Sequence, residues 1–296
     1  MEQRLLLMHQ VMLADRPRLR AYEKALEQVV SPGDVVVDVG AGLLVLSMLA
    51  LRHGAGHVYA IEADPQVAAV AARIAERNDL KGQLTLIQGD AREVRLPRKA
   101  DVVVSEMMGN LGPEEEMADV LGVVARRNLR PGGRIVPQRL VTHLAAVELD
   151  GEGWGLWGDD FLGYRLDVVQ ESVEPAAHLH FFQRPPTLLS APAVIADSRM
   201  GAGARSRPPS TQHLPITRGG RLHAIMGYFT ATLAPEITLS NFPSYPGCNW
   251  AVWIWPLRHV TVAPGDMLRI GVQRPQDIRV ATDWRLDCRI VKQGRS

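Results

Sequence analysis

The chain carries two different patterns of apolar and polar positions, and the change between them falls near Pro137. Before that residue, short β-branched runs alternate with longer segments whose apolar residues recur every three or four positions. This alternation of strands and helices indicates an α/β fold, with a Rossmann-like parallel sheet and right-handed crossovers over residues 1–137. Asp15 followed by Pro17 predicts an N-cap that divides the first helix in two. The predicted strands cover residues 35–39, 57–61, 83–88, 100–104 and 134–137, and the predicted helices cover residues 3–30, 43–51, 64–78 and 114–127.

After Pro137 the helical period largely stops, and short alternating runs separated by turn residues take its place. That texture is typical of antiparallel sheets, so residues 138–296 are expected to form a second, β-barrel-like domain. Its predicted strands cover residues 140–147, 223–233, 250–256, 259–262, 267–272 and 283–291.

Composition excludes several classes of protein. The 296 residues carry a net charge of +1, which gives no support to a nucleic-acid-binding surface. The longest apolar run, residues 43–51, is too short to cross a bilayer, and no small-residue cleavage site follows the amino terminus. The two cysteines form no CxxC motif, and His178 and His180 have no third metal ligand at a suitable spacing. We therefore expect a cytoplasmic, metal-free protein without nucleic-acid or membrane partners.

Glycines and acidic residues follow the predicted strands at their carboxyl ends, where open α/β sheets bind ligands. Gly40 and Gly42 come after the first strand and permit close backbone approach to a ligand. Glu62 ends the second strand, where an acidic residue binds ribose hydroxyls, and Asp90 follows the third, where it is placed to accept from an adenine amino group. The third glycine of the dinucleotide fingerprint is absent, which disfavours a nicotinamide-dependent oxidoreductase.

A loop over residues 105–117 follows the fourth strand and holds four glutamates. Gly109, Gly112 and Pro113 prevent a helix from starting at once, so carboxylates are held at the ligand-binding edge of the sheet. Neighbouring carboxylates repel unless a cation neutralises them, and the planar fork of a guanidinium suits a pair of carboxylates. Three of the glutamates also fit the acidic first turn of the next helix, so the loop alone leaves both interpretations open.

Together these residues resemble the protein arginine N-methyltransferases, a branch of the class I S-adenosylmethionine-dependent methyltransferases. The loop is similar to that family's Ser-Glu-Trp-Met-Gly-Tyr pattern, which continues without a gap to a second Glu and a Met. Further similarity lies in the first helices, the glycine turn, the end of the second strand and parts of the second domain. The matching positions are Ser105, Glu106, Met108, Gly109, Glu115 and Met117 in the loop; His9, Met12, Leu13, Asp15, Arg18 and Tyr22 in the helices; Asp38 to Gly42, Ile61 and Glu62 in the sheet; and His223, Ala224, Tyr228, Phe229 and Trp250 beyond it.

The resemblance implies S-adenosyl-L-methionine as the cofactor and an arginine guanidinium as the methyl acceptor. Glu106 and Glu115 would be the catalytic carboxylates that clamp the guanidinium, with Glu114 and Glu116 left as cap and surface residues. Arg18 would bind the carboxylate of the cofactor. The implied cofactor-binding positions are His9, Met12, Arg18, Asp38, Gly40, Gly42, Glu62, Asp90, Ala91, Glu106 and Met117, with Met12 and Met117 flanking the methyl-transfer channel; the implied substrate-binding positions are Asp15, Met107, Asn249 and Trp250.

The chain departs from the family pattern mainly where the acceptor is expected. Met107 stands in place of the Trp, Asn110 in place of the Tyr, and Asn249 in place of the His that pairs with the helix aspartate. Asp15 is therefore expected to lack its usual ionic partner. Leu44 replaces the last cofactor glycine. These departures motivate an alternative, a methyltransferase for free arginine, a peptide natural product or another small amine. A non-catalytic regulatory homologue is the third interpretation, and the retained glutamate pair speaks against it.

The resemblance also implies assembly. The family forms homodimers through an arm inserted in the β domain, and residues 151–184, with Trp154, Trp157 and Phe161, are the candidate arm. The expected partners are thus a second copy of the chain and an arginine-containing substrate, whether protein, peptide or free arginine.

Overall fold

A computed structural model describes residues 3–149, 160–169, 177–203, 211–244, 250–273 and 285–292. In its amino-terminal part, helices alternate with the strands of one parallel sheet. The helices are α1 (Gln3–Ala14), α2 (Arg16–Val29), α3 (Val45–Arg52), α4 (Pro65–Arg77) and α5 (Met117–Asn128), with a 3-10 turn at Pro113–Glu115. The strands are β1 (Val35–Val39), β2 (His57–Glu62), β3 (Leu84–Gln88), β4 (Ala100–Ser105) and β5 (Leu129–Val136).

The parallel sheet has the strand order β3-β2-β1-β4-β5. All five residues of β1 are buried, as expected for a strand covered by helices on both faces. The order reverses between β1 and β4, and ligands bind in the crevice at such a switch point. The predicted Rossmann-like fold is confirmed, and the ends of β1, β2 and β4 meet at one edge.

The two helix starts that the sequence predicts are capped by aspartates. The Asp15 Oδ1 atom accepts a hydrogen bond from the Arg18 backbone N–H at 3.1 Å, and Pro17 lies in the first turn of α2. The Asp64 Oδ1 atom likewise accepts from two backbone N–H groups at the start of α4. Each cap satisfies donors that a helix terminus leaves without an intrahelical partner.

In the amino-terminal part, two predicted boundaries were wrong by three residues or more. Helix α5 begins at Met117 rather than at residue 114, because the 3-10 turn ends at Glu116 in a left-handed conformation with φ 54°. Strand β5 begins at Leu129 rather than at residue 134. Residues 131–133, expected to form a turn, lie within the strand, where its pairing with β4 is irregular.

The remaining described strands form antiparallel sheets, as predicted for the second domain. The largest has seven strands, and a second sheet, of order β12-β16-β17, has three. The predicted strands 250–256 and 259–262 are one continuous strand. The strands are β6 (Arg139–Glu148), β7 (Asp160–Phe161), β8 (Tyr164–Arg165), β9 (His178–His180), β10 (Thr187–Leu188), β11 (Ala193–Arg199), β12 (Thr211–Pro215), β13 (Gly220–Ala234), β14 (Ile237–Ser240), β15 (Val252–Val262), β16 (Met267–Gln273) and β17 (Arg285–Val291).

Helix α2 joins the two parts of the molecule. Its buried residues Tyr22 and Leu26 belong to the same hydrophobic cluster as Phe229 of β13 and Leu239 of β14. Burial of such apolar surface is the main favourable term in domain association. The second domain therefore packs directly against the helix that carries Arg18.

Several sequence expectations fall on residues outside the described ranges. These include Asn249, Trp154 and Trp157. Of the candidate arm, the structure describes residues 160–169, where β7 and β8 form a short hairpin, and residues 177–184. Within the part of the chain that the structure covers, no helix is long and apolar enough to cross a membrane.

Candidate active site

A cleft of about 680 Å³ opens where β1, β2 and β4 end. Helix α1, the glycine turn after β1 and the loop after β4 form its walls, and Trp250 reaches it from the second domain. The cleft brings together most of the site residues that the sequence predicts. Those that line it are His9, Met12, Arg18, Gly40, Gly42, Glu62, Asp90, Ala91, Glu106, Met107, Glu115 and Trp250.

The glycine turn lies so close to its neighbours that side chains would not fit. Gly40 and Gly42 have φ values of 70° and 53°, which favour glycine. A Cβ atom on Gly40 would lie 2.9 Å from the Met107 Sδ atom, and one on Gly42 would lie 3.3 Å from the His9 Cε1 atom. The turn thus presents bare backbone to the cleft, with α1 folded over it.

Glu62 is oriented by backbone amides beside this turn. Its Oε2 atom accepts from the Gly42 N–H and its Oε1 atom from the Asp64 N–H, both at 2.8 Å. Each carboxylate oxygen has a further lone pair, so Glu62 can also accept from the hydroxyls of a ribose. The bare turn and the fixed carboxylate fit the nucleoside part of S-adenosylmethionine.

Of the predicted cofactor residues, Asp90 is already paired with an arginine, and Asp38 lies outside the lining of this cleft. The exposed Asp90 carboxylate is held by the Arg92 guanidinium, with an Oδ2–Nη2 distance of 2.7 Å, and hydrogen bonds from Arg92 lower the pKa of Asp90. An adenine amino group would have to share this carboxylate with Arg92. Asp38 is buried beneath the glycine turn, where its Oδ2 atom accepts from the Ser47 hydroxyl at 2.7 Å. Burial raises the pKa of Asp38 to about 6.

The buried Arg18 side chain joins α2 to the carboxylate loop. Its Nη1 atom lies 2.9 Å from Glu106 Oε2, and its Nε atom lies 3.2 Å from Asp15 Oδ2. The guanidinium carbon lies 3.3 Å from the centre of the Trp250 ring, a cation–π arrangement. Asp15 thus has an ionic partner in Arg18, which the sequence did not predict; the expected loss of its usual partner concerns Asn249, which lies outside the described residues. Asp15 lies below the surface of the cleft rather than in its lining.

Glu106 and Glu115 face the same cleft from the two ends of the loop. Glu106 is mostly buried, and this burial raises its pKa although the Arg18 charge opposes the rise. Glu115 reaches solvent at the cleft mouth, yet protein surrounds most of it. This desolvation, together with the charges of Glu106 and Glu114, raises the pKa of Glu115 to about 7. The two carboxylates are thus close enough to repel each other, which favours a cation between them.

Two loop residues lie where the sequence did not predict them. Glu114, expected as a cap or surface residue, is buried, and its Oε1 atom accepts from the Trp253 indole N–H at 3.0 Å. The 3-10 turn causes this, since it points Glu114 inward while Glu115 and Glu116 stay exposed. Met117, expected beside the methyl-transfer channel, is fully buried under Leu140 and does not line the cleft.

The second domain fixes the loop through side chains that sequence reasoning missed. The Asn241 Nδ2 atom donates to the Asn110 carbonyl at 2.6 Å, and the Thr142 hydroxyl donates to the Leu111 carbonyl at 3.0 Å. Neither residue stands in a sequence motif, and the pairing of distant strands that places them has no local signal. Arg92 was also missed, although its position two residues after Asp90 could have indicated it.

Comparisons of the sequence with known proteins place it among methyltransferases. The profile of the family described as "Ribosomal protein L11 methyltransferase (PrmA)" matches residues 23–132. Protein arginine N-methyltransferase 1 of Schizosaccharomyces pombe is 37% identical over 275 residues, which cover 88% of this chain and 79% of that protein. Protein arginine N-methyltransferase 1 of Chlamydomonas reinhardtii is 27% identical over 298 residues, with coverage of 94% and 85%.

Solved structures share the fold. The Trypanosoma brucei PRMT1 enzyme–prozyme heterotetrameric complex with AdoHcy contains a chain with a TM-score of 0.79 and 22% identity, covering 97% of this chain and 93% of that one. Arabidopsis thaliana protein arginine methyltransferase 10 gives a TM-score of 0.77 at 23% identity, with coverage of 97% and 94%. The two-part architecture described above is therefore the one found in those proteins.

Proposed function

This chain belongs to the protein arginine N-methyltransferase family, and from that membership we propose that it methylates an arginine guanidinium with S-adenosylmethionine as the cofactor. The observation that carries the proposal is the pairing of Glu106 and Glu115 across one cleft, beside a glycine turn and a ribose-type carboxylate. A guanidinium is the cation that two adjacent carboxylates hold best, because its donors form a planar fork.

The residues at the end of β2 and in the glycine turn would hold the cofactor. Glu62 would accept from the ribose hydroxyls, while Gly40 and Gly42 would allow the backbone to approach. Arg18 is a buried cation in contact with the loop and would bind the cofactor's carboxylate while it keeps its contact with Glu106. When bound, S-adenosylmethionine supplies an electrophilic methyl group on a sulfonium.

Glu106 and Glu115 would orient the acceptor and stabilise the charge that develops on it. Positive charge builds on the guanidinium nitrogen as it gains a methyl group, so carboxylates fixed beside it lower the barrier. Holding that nitrogen in line with the methyl group contributes further, since orientation alone supplies several kcal/mol in such reactions. Glu115, with a pKa of about 7, is ionised above neutral pH and can accept the proton that the product releases.

A second candidate function is transfer to free arginine or another small guanidine. Met107 packs against Gly40 in the place of the family's Trp, and Asn110 stands in the place of its Tyr, so the cleft lacks two aromatic walls. Cofactor with an isotopically labelled methyl group should be incubated with free arginine, an Arg-Gly-rich peptide and a matched Lys-Gly peptide. Methylarginine identified by mass spectrometry in either arginine sample supports the proposed function and distinguishes its two forms. Transfer to neither, or to the lysine peptide, would contradict it.

We also propose that the chain forms a homodimer through residues 151–184. In the described part of this arm, Leu162, Tyr164 and Val168 are exposed by 82%, 73% and 59%, which is unusual for large apolar residues unless a partner covers them. Sedimentation should then give twice the chain mass of 32.6 kDa, and Tyr164→Asp should shift the equilibrium to the monomer. A monomeric wild type at micromolar concentration would contradict this assembly.

A cytoplasmic location is part of the same proposal. The chain has only two cysteines in 296 residues, a usage typical of a reducing compartment, and this supports it. Fractionation of cells that express the full chain tests it, with recovery in the membrane or secreted fraction as the contradicting result.

A further inference from the structure

We propose that Glu114 is a positioning residue whose buried carboxyl ties the loop carrying Glu106 and Glu115 to the Trp253 indole of the second domain. From the sequence, Glu114 was expected to be only a cap or surface residue. The proposal deepens the proposed function and rests on it for the catalytic consequence, while the tie itself stands on the contacts below.

The carboxyl of Glu114 links two elements that are distant in sequence. Its Oε1 atom accepts from the Leu111 backbone N–H at 2.5 Å and from the Trp253 Nε1–H at 3.0 Å. Glu114 is 8% exposed and Trp253 1%, so water does not compete for either bond. A buried donor that loses such a partner is costly, and this favours a single arrangement of the loop.

The second carboxyl oxygen packs against the loop itself. A Cβ atom on Gly109 would lie 2.5 Å from Glu114 Oε2, which shows how closely the chain turns around this side chain. Oε2 is buried and has no hydrogen-bond partner among the described residues. Burial raises the pKa of Glu114, and the hydrogen bonds that its carboxyl accepts oppose the rise.

The position of Glu114 between the two catalytic carboxylates gives the tie its consequence. Glu106 precedes and Glu115 follows residues 109–114, the segment that folds around the Glu114 side chain. The distance between the two carboxylates therefore depends on how that segment is held. Asn241 and Thr142 hold its carbonyl groups from the second domain, whereas Glu114 holds the Leu111 N–H from within the loop. Loss of the tie should therefore loosen the pair without disturbing the cofactor residues on β1 and β2.

The test compares Glu114→Leu, which removes the acceptor, with Glu114→Gln, which keeps an acceptor oxygen in a side chain of the same shape. We expect Glu114→Leu to lower kcat about 10- to 100-fold, because small displacements of positioned groups have effects of that size. Its affinity for AdoHcy and the kcat of Glu114→Gln should stay within about threefold of the wild type. Trp253→Phe removes one of the two bonds and should lower kcat in the same direction; it also carries the test if Glu114→Leu fails to fold. Glu116→Gln, which removes an exposed carboxylate of the same loop, is the matched control.

A second readout does not depend on catalysis. Amide hydrogen exchange of the AdoHcy-bound protein should be faster in residues 106–117 of Glu114→Leu and Trp253→Phe, and unchanged in Glu114→Gln and in β1 of all variants. If the wild type transfers no methyl group to arginine, the proposed function fails while hydrogen exchange still decides the tie. Unchanged exchange in the loop, or a Glu114→Gln variant as slow as Glu114→Leu, would overturn the positioning proposal.

Discussion

Replacing Arg18 by methionine removes the cation that two buried carboxylates share. The Arg18 side chain is 5% exposed, and its partners Asp15 and Glu106 are 0% and 15% exposed. Methionine keeps much of the aliphatic volume against the Trp250 ring and leaves the helix cap in place, since the Asp15 Oδ1 atom accepts from the backbone of residue 18. The substitution therefore isolates the charge.

Removing one partner of a buried ion pair costs about 3–5 kcal/mol, because the remaining charge is left desolvated. Loss of the cation–π contact adds up to about 2 kcal/mol. We expect the free energy of unfolding to fall by about 3–7 kcal/mol near pH 8. The deficit should shrink towards pH 5. Burial already raises the pKa of Glu106, and without Arg18 its folded pKa rises further above the unfolded value, so the cost grows with pH and is relieved by protonation.

Urea unfolding followed by tryptophan fluorescence measures this change. Arg20→Met, at an exposed position on the same helix, is the control and should change stability by less than about 0.5 kcal/mol. Adding Glu106→Gln to Arg18→Met should recover part of the loss, as expected for residues in contact. If Arg18→Met and Arg20→Met are equally stable at both pH values, the charge of Arg18 does not stabilise the buried carboxylates.

Three further predictions follow from the other carboxylates of the cleft. The kcat/KM for an arginine peptide should rise with pH through about 7, as Glu115 loses its proton, and a flat profile between about pH 6 and 8 would count against its part in the clamp. The folded pKa of Glu115 lies above the ordinary glutamate value of 4.5, so its ionisation makes the wild type lose stability as pH rises from about 4.5 to 7. Glu115→Gln should therefore be more stable than the wild type in urea at about pH 8 and equal to it at about pH 4.5. Glu62→Gln should weaken AdoHcy binding in calorimetry by about 10- to 100-fold, because hydrogen bonds to a charged group contribute about 1.5–3 kcal/mol, whereas Glu93→Gln at an exposed position should leave the affinity unchanged.

Local sequence signals were enough to predict where the candidate cofactor residues lie in the fold. Gly40, Gly42 and Glu62 follow strands that are β-branched and buried, so periodicity alone places them at one edge of a parallel sheet. Asp15 was predicted to cap α2 because capping depends on neighbours in the chain.

The acceptor half depends on contacts that no local pattern encodes. The inward position of Glu114 comes from a 3-10 turn that ends at the left-handed residue Glu116, a conformation that glutamate rarely adopts and that propensity does not predict. The contact between Asp15 and Arg18 was not predicted, because the partner of Asp15 was expected at position 249, where the family has His and this chain has Asn249. The partner found, Arg18, lies one helical turn from Asp15. Trp253 and Asn241 reach the loop only through the packing of the second domain, which sets contacts across more than a hundred residues.

The proposed reaction requires Glu106 and Glu115 to bind the guanidinium that receives the methyl group. Glu106→Gln keeps the size of the side chain and removes its charge, with Glu116→Gln as the control in the same loop. The decisive measurement is methyl transfer to an arginine peptide. Calorimetric AdoHcy binding on the same samples shows whether the cofactor site is intact. We predict that Glu106→Gln lowers kcat by about 100- to 1,000-fold, the size of effect seen when one charge-stabilising group is removed, while AdoHcy binds almost as tightly as to the wild type. If Glu106→Gln binds AdoHcy and turns over as fast as Glu116→Gln, Glu106 does not take part in binding the guanidinium.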